Sequence, residues 1–206
     1  MKHLTKLLAA YFVSLALGAS DTRLQACSTN SPTPCRCPEG TECTESVTIS
    51  IIGAAVADVE HLISDFYKTS WLGVVPFQTR GPDNRIGSIR TVHSATPIGI
   101  YDIDEKLTTY TVKSDGSFVQ KLEQVQPSIP YSDGSGSFSG FWGTLEGISI
   151  FKDETLVRWS NYACETGHVR DFASFHEGAL INATSILRAA GKIQNINAGP
   201  ISAQAF

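Results

Sequence analysis

Apolar and polar positions along the chain switch between a period of two and a period near 3.6. Each switch marks a change of element. Ser46–Gly53 (SVTISIIG) is β-branched and alternating, which predicts a first strand. Val56, Val59, Leu62, Ile63 and Phe66 then recur at helical spacing. They predict an amphipathic helix over Val56–Tyr67, with Asp65 on its solvated flank. A short helix or turn is expected around Trp71 and Leu72, and RGPDNRIG (Arg80–Gly87) has turn chemistry. Strands are predicted at Ser88–Ala95, Ile98–Val112, Phe118–Gln126, Ser137–Phe151 and Leu156–Cys164. Gly140, Gly143 and Gly147 point to bulges or close backbone approach in the fourth of these. In HVRDFASFHEGALINATSILRAAG, Phe172, Phe175, His176, Ala179, Ala183, Ile186 and Leu187 share one face of a long helix. Gly191 stands where a C-cap glycine belongs.

The N-terminus breaks this pattern. Lys2 and Lys6 precede an apolar run from Leu7 to Leu17, followed by Gly18, Ala19 and Ser20, the layout of a secretory signal peptide. Cleavage is expected near Ser20, with Ala26 as a later alternative. The run is shorter than a membrane span needs, so an uncleaved anchor is the less favoured reading. The expected organisation is a signal peptide over 1–20, a Cys-rich leader over 21–45, a folded domain over 46–191 and a flexible tail over 192–206. A secreted, extracellular protein without membrane insertion follows from that layout.

Loss of the signal would move the net charge from −4 to −6. An acidic chain without a Lys/Arg cluster does not suit nucleic acid. Of five cysteines, Cys27, Cys35, Cys37 and Cys43 crowd the leader and Cys164 stands apart. In an oxidising compartment such a cluster reads as a disulfide staple. The spacing lacks the paired ligands of a zinc site, so no metal is expected. Five is odd, so either one thiol stays free or Cys164 takes a partner from the cluster.

Strand parity raises the main chemical question. Tyr101, Ile103, Glu105 and Leu107 share one face, opposite Asp102, Asp104 and Lys106. The second face is solvent, so Glu105 points inward. A buried carboxylate needs a partner, and Arg90 on the neighbouring strand is the candidate.

Three local motifs add a resemblance. They are Gly87-Ser88-Ile89-Arg90 on the second strand, Glu105-Lys106-Leu107 on the third, and Thr155-Leu156-Val157-Arg158-Trp159 on the last. In this order, ahead of a terminal helix, the chain resembles the helix-grip superfamily of START and birch-pollen-allergen proteins. That group includes polyketide cyclase/dehydrase-like proteins and plant abscisic-acid receptors. The resemblance implies an α+β fold in which a curved antiparallel sheet of six to seven strands wraps a long C-terminal helix around an internal cavity. It implies that Arg90, Val92, Ser94 and Glu105 face the cavity. Ile89, Thr91 and His93 remain the alternative inward set. It also brings the first and last strands together as antiparallel neighbours. That implies a Cys43–Cys164 disulfide, with Cys37 as the second choice.

The expected catalytic set is Arg90, Glu105 and His176, the last able to act as acid or base near neutral pH. A structural Arg90–Glu105 pair and a core His176 are the alternatives. The expected ligand-lining set is Trp71, Val92, Ser94, Tyr101, Ile103, Tyr131, Trp142, Phe172, Phe175 and Ala179, with Tyr131 near the mouth. Trp159 and Phe141 read as packing, and Cys164 with His168 as no nucleophile pair. Asn182-Ala183-Thr184 is an N-glycosylation sequon on the long helix. No nucleotide or phosphate motif occurs, so no cofactor is expected. Two functions follow: cofactor-free cyclisation, dehydration or isomerisation of an aromatic, polyketide-like metabolite, or non-catalytic carriage of hydrophobic molecules. A secreted effector that contacts another protein through its leader is a third.

Overall fold

A computed structural model describes residues 37–96, 99–125 and 127–205. The signal peptide, most of the leader and the cysteines at 27 and 35 lie outside the described residues. The elements run β1 (Glu42–Ile52), α1 (Val56–Ile63), β2 (Gln78–Arg80), β3 (Ile89–Thr96), β4 (Gly99–Val112), β5 (Phe118–Gln124), β6 (Ile129–Pro130), β7 (Ser137–Phe151), β8 (Glu154–Thr166), α2 (Phe172–Ala189) and β9 (Ala198–Ala205). All nine strands join one antiparallel sheet in the order β2-β3-β4-β5-β7-β8-β1-β9, with β6 beside β7. Among the described residues no helix is long and apolar enough to cross a membrane.

The helix-grip expectation holds, with more strands than foreseen. α2 lies along the inner face of β1 and packs on β9 and α1. Its Ala179, Leu180, Ala183 and Leu187 join Val59, Ile63, Trp71, Phe118, Leu145 and Val157 in the main core. The Asp171 carboxylate caps α2 by accepting from Ser174 N at 2.9 Å. Phe118 lies over Gly147, where an added Cβ would meet the ring at 2.1 Å, the close approach expected of that glycine. The bulge expected in β7 falls between Phe138 and Phe141, at Gly140 with its φ of 152°.

Four expectations are corrected. α1 stops at Ile63 instead of Tyr67. Asp65 Oδ1 accepts the backbone N–H groups of Tyr67 and Lys68, which turns the chain out of the helix. The expected tail carries β9, which pairs with β1 from Glu45↔Ala205 to Ile51↔Ala198. β1 also starts at Glu42, inside the expected leader. The disulfide joins Cys164 to Cys37, with Cα atoms 5.2 Å apart. Cys43 does face Cys164 in the β1–β8 register, yet the segment ahead of β1 folds over the outer face and brings Cys37 to that sulfur. Burial pushes the neighbouring Cys43 thiol up to about 11.

Candidate functional site

Both candidate faces of β3 carry buried residues, Thr91 on one and Arg90 with Val92 on the other, and they part beyond Val92. Val92 is buried and Ser94 half-buried on the inner face, while His93 is exposed, stacked on Phe77 at 4.0 Å and paired with Asp102. Val92 joins Tyr101 and Ile103 of β4, Tyr131 after β6, Phe138 and Phe141 of β7, and Ala163 of β8 in one apolar cluster, with Phe172 of α2 against it. Tyr131 is thus a buried wall rather than a residue of the mouth. Its hydroxyl donates to His168 O at 3.1 Å and its ring tilts on Tyr101.

Arg90 and Glu105 face each other across β3 and β4 and form a closed pair. Arg90 Nε donates to Glu105 Oε2 at 2.5 Å, and Nη1 donates to Phe66 O at 2.7 Å. The guanidinium also lies 4.6 Å over the Phe66 ring. The pair pins the segment after α1 to the sheet.

His176 belongs to a different neighbourhood. It is 2% exposed and stacks on Trp159 at 3.8 Å, with Phe172 and Phe175 beside it. Trp159 touches Trp71, and Phe172 stacks on Phe141. A run of rings therefore crosses the space under the first turns of α2, from Trp71 to Phe138. Ala179 continues this face into the main core, whereas Phe175 is 41% exposed at its margin, edge-on to Trp159. Burial drives the His176 imidazole down to about 3, so it is neutral at physiological pH. No hydrogen bond or ring contact joins His176 to Arg90 or Glu105.

Trp142 is elsewhere. β7 directs Phe141, Gly143 and Leu145 inward, so Trp142 faces out, packed with Tyr162, Cys37 and Cys43. Asn182 is exposed on α2, and its Nδ2 donates to Trp71 O at 2.9 Å. That is the nitrogen a glycan would occupy.

Four polar residues missing from the sequence reading complete the site. Counting by twos from Trp159 along β8 places Asn161, Ala163 and Glu165 on the same inner face. Asn161 is 1% exposed, and neither Nδ2 nor Oδ1 has a hydrogen-bond partner among the described residues. Ser46, directly opposite on β1, is buried with its Oγ equally unpartnered. On the other side of Asn161 stands Gly143, which presents no side chain. His176 Nδ1, Trp71 Nε1, and Arg170 Nε and Nη2 are also buried without partners. Buried polar atoms are paired in the great majority of cases, so these atoms stand out from the rest of the interior. Glu165 is 1% exposed and accepts from the Arg170 backbone N–H at 3.3 Å and from Thr44 Oγ1 at 3.2 Å. Burial pushes its carboxyl up to about 7. β9 closes this end, with Gln204 Nε2 donating to Arg170 O and its Oε1 accepting from Ala173 N.

An open cleft of about 540 Å³ lies elsewhere, lined by Asn84, Arg85, Ile86 and Tyr110, and contains none of the residues singled out from sequence. Among the described residues no group of three or more His, Cys, Asp or Glu is placed to hold a metal ion.

Comparison with known proteins gives the class. A START domain family model matches residues 44–204, and the chain belongs to that family. No curated protein matches the sequence. Among solved structures, norcoclaurine synthase from Thalictrum flavum, in complex with dopamine and hydroxybenzaldehyde, superposes with a TM-score of 0.50 at 14% identity, over 74% of this chain and 90% of that one. The ginseng major latex-like protein 151 from Panax ginseng gives 0.51 at 12% identity, over 70% and 98% of the two chains. These likenesses agree with the helix-grip architecture.

Proposed function

We propose that the chain binds one hydrophobic or aromatic small molecule between the first turns of α2 and the inner face of the sheet, and carries it unchanged. The observation that carries this reading is the run of rings from Trp71 to Phe138, interrupted by the buried, unpartnered polar atoms of Ser46, Asn161 and His176. Apolar walls with a few convergent polar groups are what small-molecule sites require. The aromatic molecules named with the norcoclaurine synthase structure suit the same reading. Carriage is favoured over turnover by the expected catalytic set. Arg90 and Glu105 are occupied with each other and with Phe66, and His176 is a neutral imidazole walled by rings. Cofactor-free isomerisation, cyclisation or dehydration is the second reading, and Glu165 favours it, because a carboxyl held near 7 can exchange protons at neutral pH. The Cys37–Cys164 bridge supports an oxidising, extracellular setting.

The test uses N-phenyl-1-naphthylamine, an uncharged aromatic fluorophore. Saturable enhancement with one probe per chain is expected, and Phe172→Asp is expected to weaken it about tenfold or more by placing a carboxylate on the apolar wall. A linear signal without saturation, or one indifferent to Phe172→Asp, would count against the site. Mass spectrometry of molecules recovered from the protein separates the two readings, since a carrier returns them chemically unchanged.

A further inference from the structure

Arg170 sits immediately before the capping residue of α2, and the turn delivers its guanidinium into the apolar cluster. The residue is 8% exposed, and the guanidinium lies 4.1 Å over the Phe138 ring. Nη1 donates to Ser94 Oγ at 2.8 Å, and the Tyr131 hydroxyl stands close by. Among the described residues, Nε and Nη2 are buried without a hydrogen-bond partner. These two nitrogens are the ones whose N–H bonds run parallel along one edge of the guanidinium. That edge takes a carboxylate through two parallel hydrogen bonds. Among the described residues the acid paired with it is Glu165, whose Oε1 comes no nearer than 4.0 Å to Nε, beyond hydrogen-bond reach. Its oxygens are engaged instead by the Arg170 main chain and Thr44.

We propose that the Nε–Nη2 edge of Arg170 recognises the carboxylate of the bound molecule, so that the ligand is a hydrophobic, typically aromatic, carboxylic acid. The inference rests on the small-molecule reading above and narrows its ligand. A hydroxyl or a carbonyl would meet one N–H and leave the other unanswered in an apolar setting. A carboxylate meets both through two parallel, charge-assisted hydrogen bonds. A phosphate dianion would bring two negative charges to a single guanidinium. The rings of Phe138, Phe141 and Phe172 lie where the apolar body of such an acid would extend.

The experiment is isothermal titration of the full chain at pH 6, where the Glu165 carboxyl is mostly uncharged, with ionised 2-naphthoic acid and with its uncharged methyl ester. The acid is expected to bind about tenfold tighter or more, the yield of a charge-assisted bidentate contact. Arg170→Gln is expected to remove that preference, and Arg170→Lys to keep only part of it. Equal or tighter ester binding by the unsubstituted protein overturns the inference, whether or not the variants fold. So does an acid preference that survives Arg170→Gln. Ester binding without acid preference sinks the carboxylate alone. Binding of neither probe sinks both the carboxylate and the small-molecule reading.

Discussion

Among the described residues stand two buried Arg–Glu pairs, and they are built in opposite ways. Arg90 and Glu105 meet side chain to side chain at 2.5 Å, and the second guanidinium nitrogen is answered by Phe66 O. Arg170 and Glu165 stand 4.0 Å apart, two guanidinium nitrogens go unanswered, and the carboxylate is held by main chain and a threonine hydroxyl. The first pair is a fastener whose two charges compensate each other. The second leaves capacity unspent, and unspent hydrogen-bonding capacity in a buried place is what a ligand can use.

The sharpest break would come at the fastener. Glu105→Leu should lose about 3–5 kcal/mol in urea unfolding, because it strands a buried guanidinium. Arg90→Met with Glu105→Leu should recover most of that loss. A single-variant loss below about 1 kcal/mol would mean that the fastener is not closed.

Next in size is pH. The Glu165 carboxyl is raised in the folded state to about 7, so its stabilising contribution is full below the unfolded value near 4.5 and is lost as pH rises toward 7. His176 is depressed to about 3, so its contribution is full above the unfolded value of 6.5 and drains away as pH falls. Between roughly 4.5 and 6.5 the two slopes oppose. Glu165→Gln should therefore expose a steady loss of stability on acidification from 6.5, while His176→Phe should expose a gain of about 3 kcal/mol between 7 and 4.5. Thermal midpoints across that range would show it. Parallel profiles for both variants would contradict the assigned environments.

The smallest effect belongs to the open pair. Arg170→Met should cost only about 1 kcal/mol, since Nε and Nη2 have no partner to lose and Glu165 keeps its main-chain donor. A cost equal to that of Glu105→Leu would erase the difference between the two pairs.

The closed pair was legible because both residues sit on strands whose parity is plain. Asp102, Asp104 and Lys106 mark the wet face, so Glu105 must be inside. The helix stripe was legible for the same reason, and it placed His176 and Ala179 correctly as buried. Arg170 and Glu165 were not legible. They lie within ETGHVRD, a polar stretch between the last expected strand and the apolar stripe of the long helix, and their burial comes from elements distant in sequence: Thr44 of β1 on Glu165, and Phe138 of β7, Ser94 of β3 and Gln204 of β9 on Arg170. β9 was itself hidden: NAGPISAQA lacks strong alternation, and Ile201 stays 73% exposed even when paired. The disulfide was half legible. Register brings β1 to the right place on β8, but which of two nearby cysteines reaches the sulfur depends on a chain reversal that leaves no periodic trace.

β8 serves two masters by turns. Trp159, Asn161, Ala163 and Glu165 face α2, while Tyr162 and Cys164 face the outer covering, where the bridge to Cys37 is made. A single inserted or deleted residue in this stretch would exchange the two sets, turning the bridge inward and the polar niche out to solvent. The length of β8 is therefore expected to be held while its side chains vary. Relatives that take different molecules should differ by point exchange at positions 159, 161, 163 and 165 and by the lengths of their loops, while the spacing between Trp159 and Cys164 stays fixed.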